Sequence, residues 1–126
     1  MTRGWSQLDR VVSKSLPVRD PAKAQLYLQL ASFNSDGVST LNRPGTPAAP
    51  VSMDLVQTAS KQVPMLFLVG NEDALVPPEI IRVASETVTG AEFVVVEDSG
   101  HSVYFEQPNV FNQVVYRFLS RALRHD

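Results

Sequence analysis

Cysteine is absent from the 126 residues, which excludes disulfide bonds and every metal site built on thiolates. Long apolar runs are missing too. The longest purely apolar stretch is MLFLV at 65–69, far short of the roughly 20 residues that a membrane span requires. The opening twenty residues, MTRGWSQLDRVVSKSLPVRD, mix charge with apolar side chains and lack the continuous apolar centre of a secretory signal. A marked excess of charge of one sign is missing, and a net charge of -2 supplies no general attraction for nucleic acid or an anionic membrane. The expectation is a cytoplasmic protein that binds neither. Histidine is also rare, with only His101 and the near-terminal His125, so imidazole chemistry is confined almost to one position.

What is present is the composition of a globular chain: 44% hydrophobic and 19% charged residues, enough for one small core. Trp5, Leu8, Val12 and Leu16 recur at spacings of three, four and four, which predicts one helical face that Pro17 ends. Asp20 then offers an N-cap and Pro21 a first helical residue, with Leu26, Tyr27, Leu30 and Ala31 as the next apolar stripe. Residues 34–50, NSDGVSTLNRPGTPAAP, are rich in proline, glycine, serine and asparagine and read as a loop or domain boundary. Ser35 lies there in FNSDG, which lacks the first glycine of a G-x-S-x-G nucleophile turn, and reads as a turn residue. The chain divides accordingly into 1–50, helices plus a proline-rich connector, and 51–126.

In the second part the period changes. A short helix over 52–60, capped by Ser52, precedes an apolar run from Val63 to Gly70, the pattern of a strand buried on both faces of a parallel sheet. Pro77, Pro78 and Glu79 open a helix with Ile81, Ala84 and Val88 on one face, and Gly90 is placed to end it. Phe93 to Val96 read as a second buried strand. A long helix from Pro108 follows, with Val110, Phe111, Val114, Val115, Phe118 and Leu119 as its apolar face. The fold class is therefore α/β, a short parallel sheet with flanking helices. Arg117, Arg121 and Arg124 near the end complement the helix dipole; a phosphate site is the alternative reading of the same residues.

Each predicted strand is followed within a few residues by a reactive group, Asp73 after the first and His101 after the second. Their separation of 28 positions is the length of one helix and one strand with short loops. In a parallel arrangement both loops leave the same sheet edge, so carboxylate and imidazole can meet. A carboxylate on one ring nitrogen fixes the tautomer and leaves the other nitrogen free to act as a base. Glu72 competes as the acid but reads more simply as a solvated loop residue. Asp98, His101 and Glu106 offer an oxygen and nitrogen cluster, yet zinc and iron sites usually recruit several histidines, so no metal is expected. A purely structural role for His101 is the other alternative. Ser99 and Ser102 flank the Gly100–His101 pair, but a nucleophile needs its own element and oxyanion donors.

With these residues in place, residues 63–123 resemble the carboxyl-terminal part of an α/β-hydrolase. The resemblance is carried by VPMLFLVGNED, LVPPE and VVVEDSGHSVYFEQPNVFN with its closing helix. In that family the acid lies in a G-x-x-D loop and the base in a G-H pair; Gly70 to Asp73 and Gly100 to His101 match both. The resemblance implies a nucleophile–His–Asp triad acting on a small, apolar ester or related electrophile, without organic cofactor or metal. It also implies that the helices of 1–50 are a cap or lid. The nucleophile elbow should lie upstream of Asp73, and residues 1–62 contain none. Two expectations follow. One is a hydrolase half, inactive alone, that joins a separate amino-terminal half or a second copy through an exposed strand edge. The other is a non-catalytic interaction module or truncated gene product.

Overall fold

The computed structural model describes residues 6–33 and 52–124. Trp5, Ser35, the whole proline-rich connector of 34–50 with its boundary, and His125 lie outside the described residues. The elements in order are α1 (Gln7–Val11), α2 (Leu16–Arg19), α3 (Pro21–Ser32), α4 (Met53–Ser60), β1 (Leu66–Gly70), α5 (Pro78–Glu86), β2 (Glu92–Val96), α6 (Val103–Glu106) and α7 (Pro108–Ala122). The fold is α/β, as the sequence predicts: a two-stranded parallel sheet with flanking helices, preceded by a group of short helices.

The single helix expected through Leu8, Val12 and Leu16 is two helices. Ser6 and Asp9 form a reciprocal capping box that starts α1, and the Ser6 hydroxyl beside Asp9 holds its carboxyl below the ordinary range. Val12 is extended, at φ -124° and ψ 164°, because the Ser13 N–H leaves the helical ladder for the buried carboxylate of Glu106. Pro17 then sits in the first turn of α2 rather than ending a helix, where its missing N–H costs nothing. The Asp20 side chain accepts the Lys23 N–H and caps α3, as its sequence predicts.

The covered face of α3 is rotated from the predicted stripe, keeping Tyr27 and Ala31 but not Leu26 and Leu30. Ala24, Val12 and Leu16 form a small core with Leu8, Val11 and Tyr27 around it, whereas Leu26 and Leu30 are exposed. Three-and-four spacing identifies an apolar stripe but not which neighbour covers it. In α4, Ser52 occupies the N-cap position without a side-chain cap, its carbonyl taking the Leu55 and Val56 N–H groups instead.

β1 and β2 pair in register from Leu66 opposite Glu92 to Gly70 opposite Val96, so both strands end at the same edge. α5 packs on both strands, with Ser85 buried and Ile81 and Ala84 half-buried; it ends at Glu86, before the expected stop at Gly90, and Val88 is buried in the turn that follows. The strands are not buried throughout. Val69, Gly70 and Val96 are buried, but Leu66, Phe67, Leu68, Phe93 and Val94 are only half-covered and Val95 is 38% exposed. A sheet of two strands has too few neighbours to close over both faces. The last helix shows the same deficit: its apolar residues are present, but none is buried, and Val110 and Leu119 are exposed. Among the described residues no helix is long and apolar enough to cross a membrane.

Candidate active site

The site is built where the two strands end. Beyond Gly70 the first loop is stitched to the second by backbone hydrogen bonds from Asn71 N–H to the Val96 carbonyl (2.9 Å) and from Glu72 N–H to the Ser99 carbonyl (2.9 Å). The second loop turns sharply at Asp98, whose φ of 53° is left-handed; aspartate tolerates this region better than most residues. Ser99 is fully buried and its hydroxyl donates to the Val96 carbonyl at 2.9 Å. Gly70 permits the two loops to approach so closely, since a Cβ there would lie 2.2 Å from the Ser99 carbonyl oxygen and 2.3 Å from that of Gly100.

Into this frame the first loop brings Asp73 and the second His101. The Asp73 carboxylate is almost fully buried. Its Oδ1 accepts the N–H groups of Leu75 and Val76, both at 2.9 Å, which fixes the carboxylate plane. Oδ2 lies 2.9 Å from His101 Nδ1. A carboxylate can only accept, so the proton between them belongs to Nδ1. The His101 side chain is 46% exposed, and with Nδ1 engaged, Nε2 is left as a proton acceptor. This arrangement can take a proton from a neighbouring group, with the carboxylate beside the resulting imidazolium.

The other sequence candidates separate from this pair. Glu72 is not a solvated residue: it accepts the Ser15 N–H at 3.2 Å and the Ser15 hydroxyl at 2.8 Å. Asp98 contributes its backbone turn, its side chain facing solvent near Arg19 at 3.7 Å. Glu106 is buried and spends its carboxylate on Ser13 and Gly100, and no group of three histidine, aspartate or glutamate side chains among the described residues is placed to hold a metal. The Ser99 hydroxyl is used by its own loop, and that of Ser102 lies 3.1 Å from the Tyr27 hydroxyl. The arginines of α7 border a 390 Å³ depression with Tyr116 and Ser120. It shares no lining residue with the Asp73 and His101 loops, and Arg121 pairs with Glu92.

Sequence reading names Glu106 only as a possible metal ligand and gives no role to Ser13; the structure joins the two instead. The available signal was a carboxylate five positions after His101 in an otherwise apolar VYFE segment, which a solvated helix would not have required.

A parallel sheet whose two consecutive strands deliver a carboxylate and then a histidine at one edge follows the acid-then-histidine chain order of the α/β-hydrolases. Residues 33–125 match the sequence profile of the TAP-like proteins, abhydrolase group 4, and the chain belongs to that family. Among solved structures it is similar to a thermophilic esterase from Thermogutta terrifontis, with a TM-score of 0.71 and 27% identity over 92% of this chain and 42% of the esterase. Rv0554 from Mycobacterium tuberculosis aligns at a TM-score of 0.67 and 17% identity over 90% of this chain and 41% of that one, which bears on the fold alone. Carboxylesterase CesB (YbfK) from Bacillus subtilis aligns at a TM-score of 0.51 and 30% identity over 61% and 27% of the two chains. The chain thus spans less than half the length of these relatives. No curated protein sequence matches it.

Proposed function

We propose that this chain carries the orienting acid and the general base of an ester-hydrolysing α/β-hydrolase, Asp73 and His101. In this reading the nucleophile and its oxyanion donors come from polypeptide outside these 126 residues. The observation that carries it is the pinned carboxylate: two backbone N–H groups hold Oδ1 so that Oδ2 faces His101 Nδ1 at 2.9 Å. Such pre-organisation is what a base needs if Nε2 is to meet a hydroxyl in one fixed orientation. With a serine nucleophile, His101 takes the hydroxyl proton and returns it to the leaving group. With an aspartate nucleophile, it activates water against the covalent ester.

The substrate class is a small, largely apolar ester or related electrophile. Residues 1–50 act as cap and connector and 51–126 as the carboxyl-terminal core, and neither cofactor nor metal takes part. Binding of the complementary half runs along the sheet, where each strand has one edge without a ladder partner among the described residues. The protein works in the cytoplasm. The half-covered strands and the unburied apolar residues of α7 also favour a second reading, a non-catalytic module that binds through these surfaces.

The test is an ester-hydrolysis assay of the chain alone, then combined with the segment encoded upstream of it. The chain alone should give no turnover above background, and activity should appear only on combination with a segment bearing a serine or aspartate elbow. Turnover by the purified chain alone that vanishes in His101→Ala would place a nucleophile inside these residues and refute the split arrangement. Association on mixing without activity would favour the interaction module.

A further inference from the structure

The residues between α1 and α3 lie across both loops of the site. Ser15 donates its N–H and hydroxyl to Glu72 in the Asp73 loop. Two residues earlier, Ser13 donates its N–H to Glu106 at 3.0–3.1 Å and its hydroxyl to Oε2 at 2.5 Å. Glu106 Oε1 also accepts the N–H of Gly100, the residue before His101, at 2.8 Å. The Ser102 N–H, on the far side of His101, donates to the Val11 carbonyl at 2.9 Å. Arg19 reaches the Asp98 carbonyl at 2.9 Å. Contact with Gly100 is direct as well, since a Cβ there would fall 2.5 Å from the Ser13 nitrogen and from the Val12 carbonyl carbon.

Glu106 is only 3% exposed, and a carboxylate in that environment is retained only if its lone pairs are filled. The donors that fill them belong to two segments far apart in sequence, at Ser13 and at Gly100, and neither is its own helix. A carboxylate that only completed local structure would have served α6 itself. This one instead fixes the peptide immediately before the base, on one side, and the amino-terminal segment on the other.

We propose that Glu106 is a positioning residue for His101, and that through it the segment carrying Val12, Ser13 and Ser15 acts as a strap setting the separation of the Asp73 and His101 loops. The strap grips the acid loop through Glu72 and the base loop through Glu106. Displacing the strap therefore shifts the Gly100 peptide and loosens the Nδ1 to Oδ2 hydrogen bond. In the completed enzyme this couples the placement of the amino-terminal helices to the readiness of the base. The inference rests on the acid and base roles given above to Asp73 and His101.

The test uses the full chain with Glu106→Gln, which keeps the side chain's size but replaces one acceptor oxygen by a donor facing N–H groups. The readouts are the His101 Nδ1 proton in NMR spectra, its exchange rate with water, and the denaturation midpoint. The expected result is a resonance shifted away from the wild-type hydrogen-bonded position and an exchange rate raised about tenfold in a chain that remains folded. Ser13→Ala, which removes one donor and leaves both N–H groups paired, should move the same signals in the same direction by about threefold. It serves as the reporting variant if Glu106→Gln does not fold. A lowered midpoint with the Nδ1 proton unchanged in the folded variant overturns the proposal and makes Glu106 merely structural. Absence of a hydrogen-bonded Nδ1 proton in the wild-type chain overturns the acid and base reading itself, and this inference with it.

Discussion

If Asp73 and His101 act as the proposed acid and base, Asp73→Asn should lower kcat of the completed hydrolase by about 10⁴-fold while the fold survives. The size of the loss follows from the pinning of the carboxylate. Because Leu75 and Val76 present two N–H donors to Oδ1, an asparagine must place its carbonyl oxygen there and turn its NH₂ toward His101. The ring can then only accept at Nδ1, so its proton moves to Nε2 and the base is lost from the side that faces the nucleophile. His101→Ala should cost at least as much, because removing either partner of a unit removes the unit. Steady-state kinetics on the combined protein, with the denaturation midpoint as a control for folding, check both. A loss below about tenfold in Asp73→Asn would mean that this carboxylate does not orient the base.

The second large effect concerns stability. Gly70→Ala puts a methyl group 2.2 Å from the Ser99 carbonyl oxygen and 2.3 Å from that of Gly100. Both are backbone atoms in a loop tied to β1 by the Asn71 and Glu72 hydrogen bonds, so no side-chain rotation relieves the overlap. The loops must part or the strand must shift. The expected cost is about 3 kcal/mol, seen as a fall of roughly 1–3 M in the urea midpoint. Because the overlap separates the two loops of the site, the His101 to Asp73 hydrogen bond should weaken in whatever folded population remains. An alanine variant with an unchanged midpoint would contradict the close approach of the loops.

Much of this site is legible in the chain because its logic is local. Gly70 and Asp73 stand three residues apart, Gly100 and His101 are adjacent, and each pair lies at or within a few residues of the end of an apolar run with strand character. Parallel pairing then needs only the register of Gly70 opposite Val96 to bring the loops together. The existence and order of β1, β2, α5 and α7 follow for the same reason, as each is bounded by proline, glycine or a change of period, although β1 begins only at Leu66 and α5 stops at Glu86, short of Gly90. The amino-terminal helices are less legible. Leu8, Val12 and Leu16 have helical spacing, but the helix breaks because Glu106, 93 residues beyond Ser13, draws the Ser13 N–H out of the ladder. No local pattern encodes such a competitor.

The burial of the strands and of α7 departs from the sequence pattern for another physical reason. Apolar periodicity states what a segment would bury, not whether the neighbour that buries it is present. Val95, Val110 and Leu119 carry the expected apolar character and remain exposed, and the relatives are more than twice as long as this chain. Glu72 shows the converse: an acidic loop residue looks solvated in sequence, yet it is bound by Ser15 from a distant segment.

The most direct test of the central claim, that Asp73 and His101 form a pre-set acid and base pair within this chain, is the tautomer of the neutral His101 ring measured by long-range ¹H–¹⁵N NMR. The geometry predicts a proton fixed on Nδ1, hydrogen-bonded to Asp73, with Nε2 bare and exposed to solvent. A ring carrying its proton on Nε2, or exchanging freely between tautomers, would contradict it.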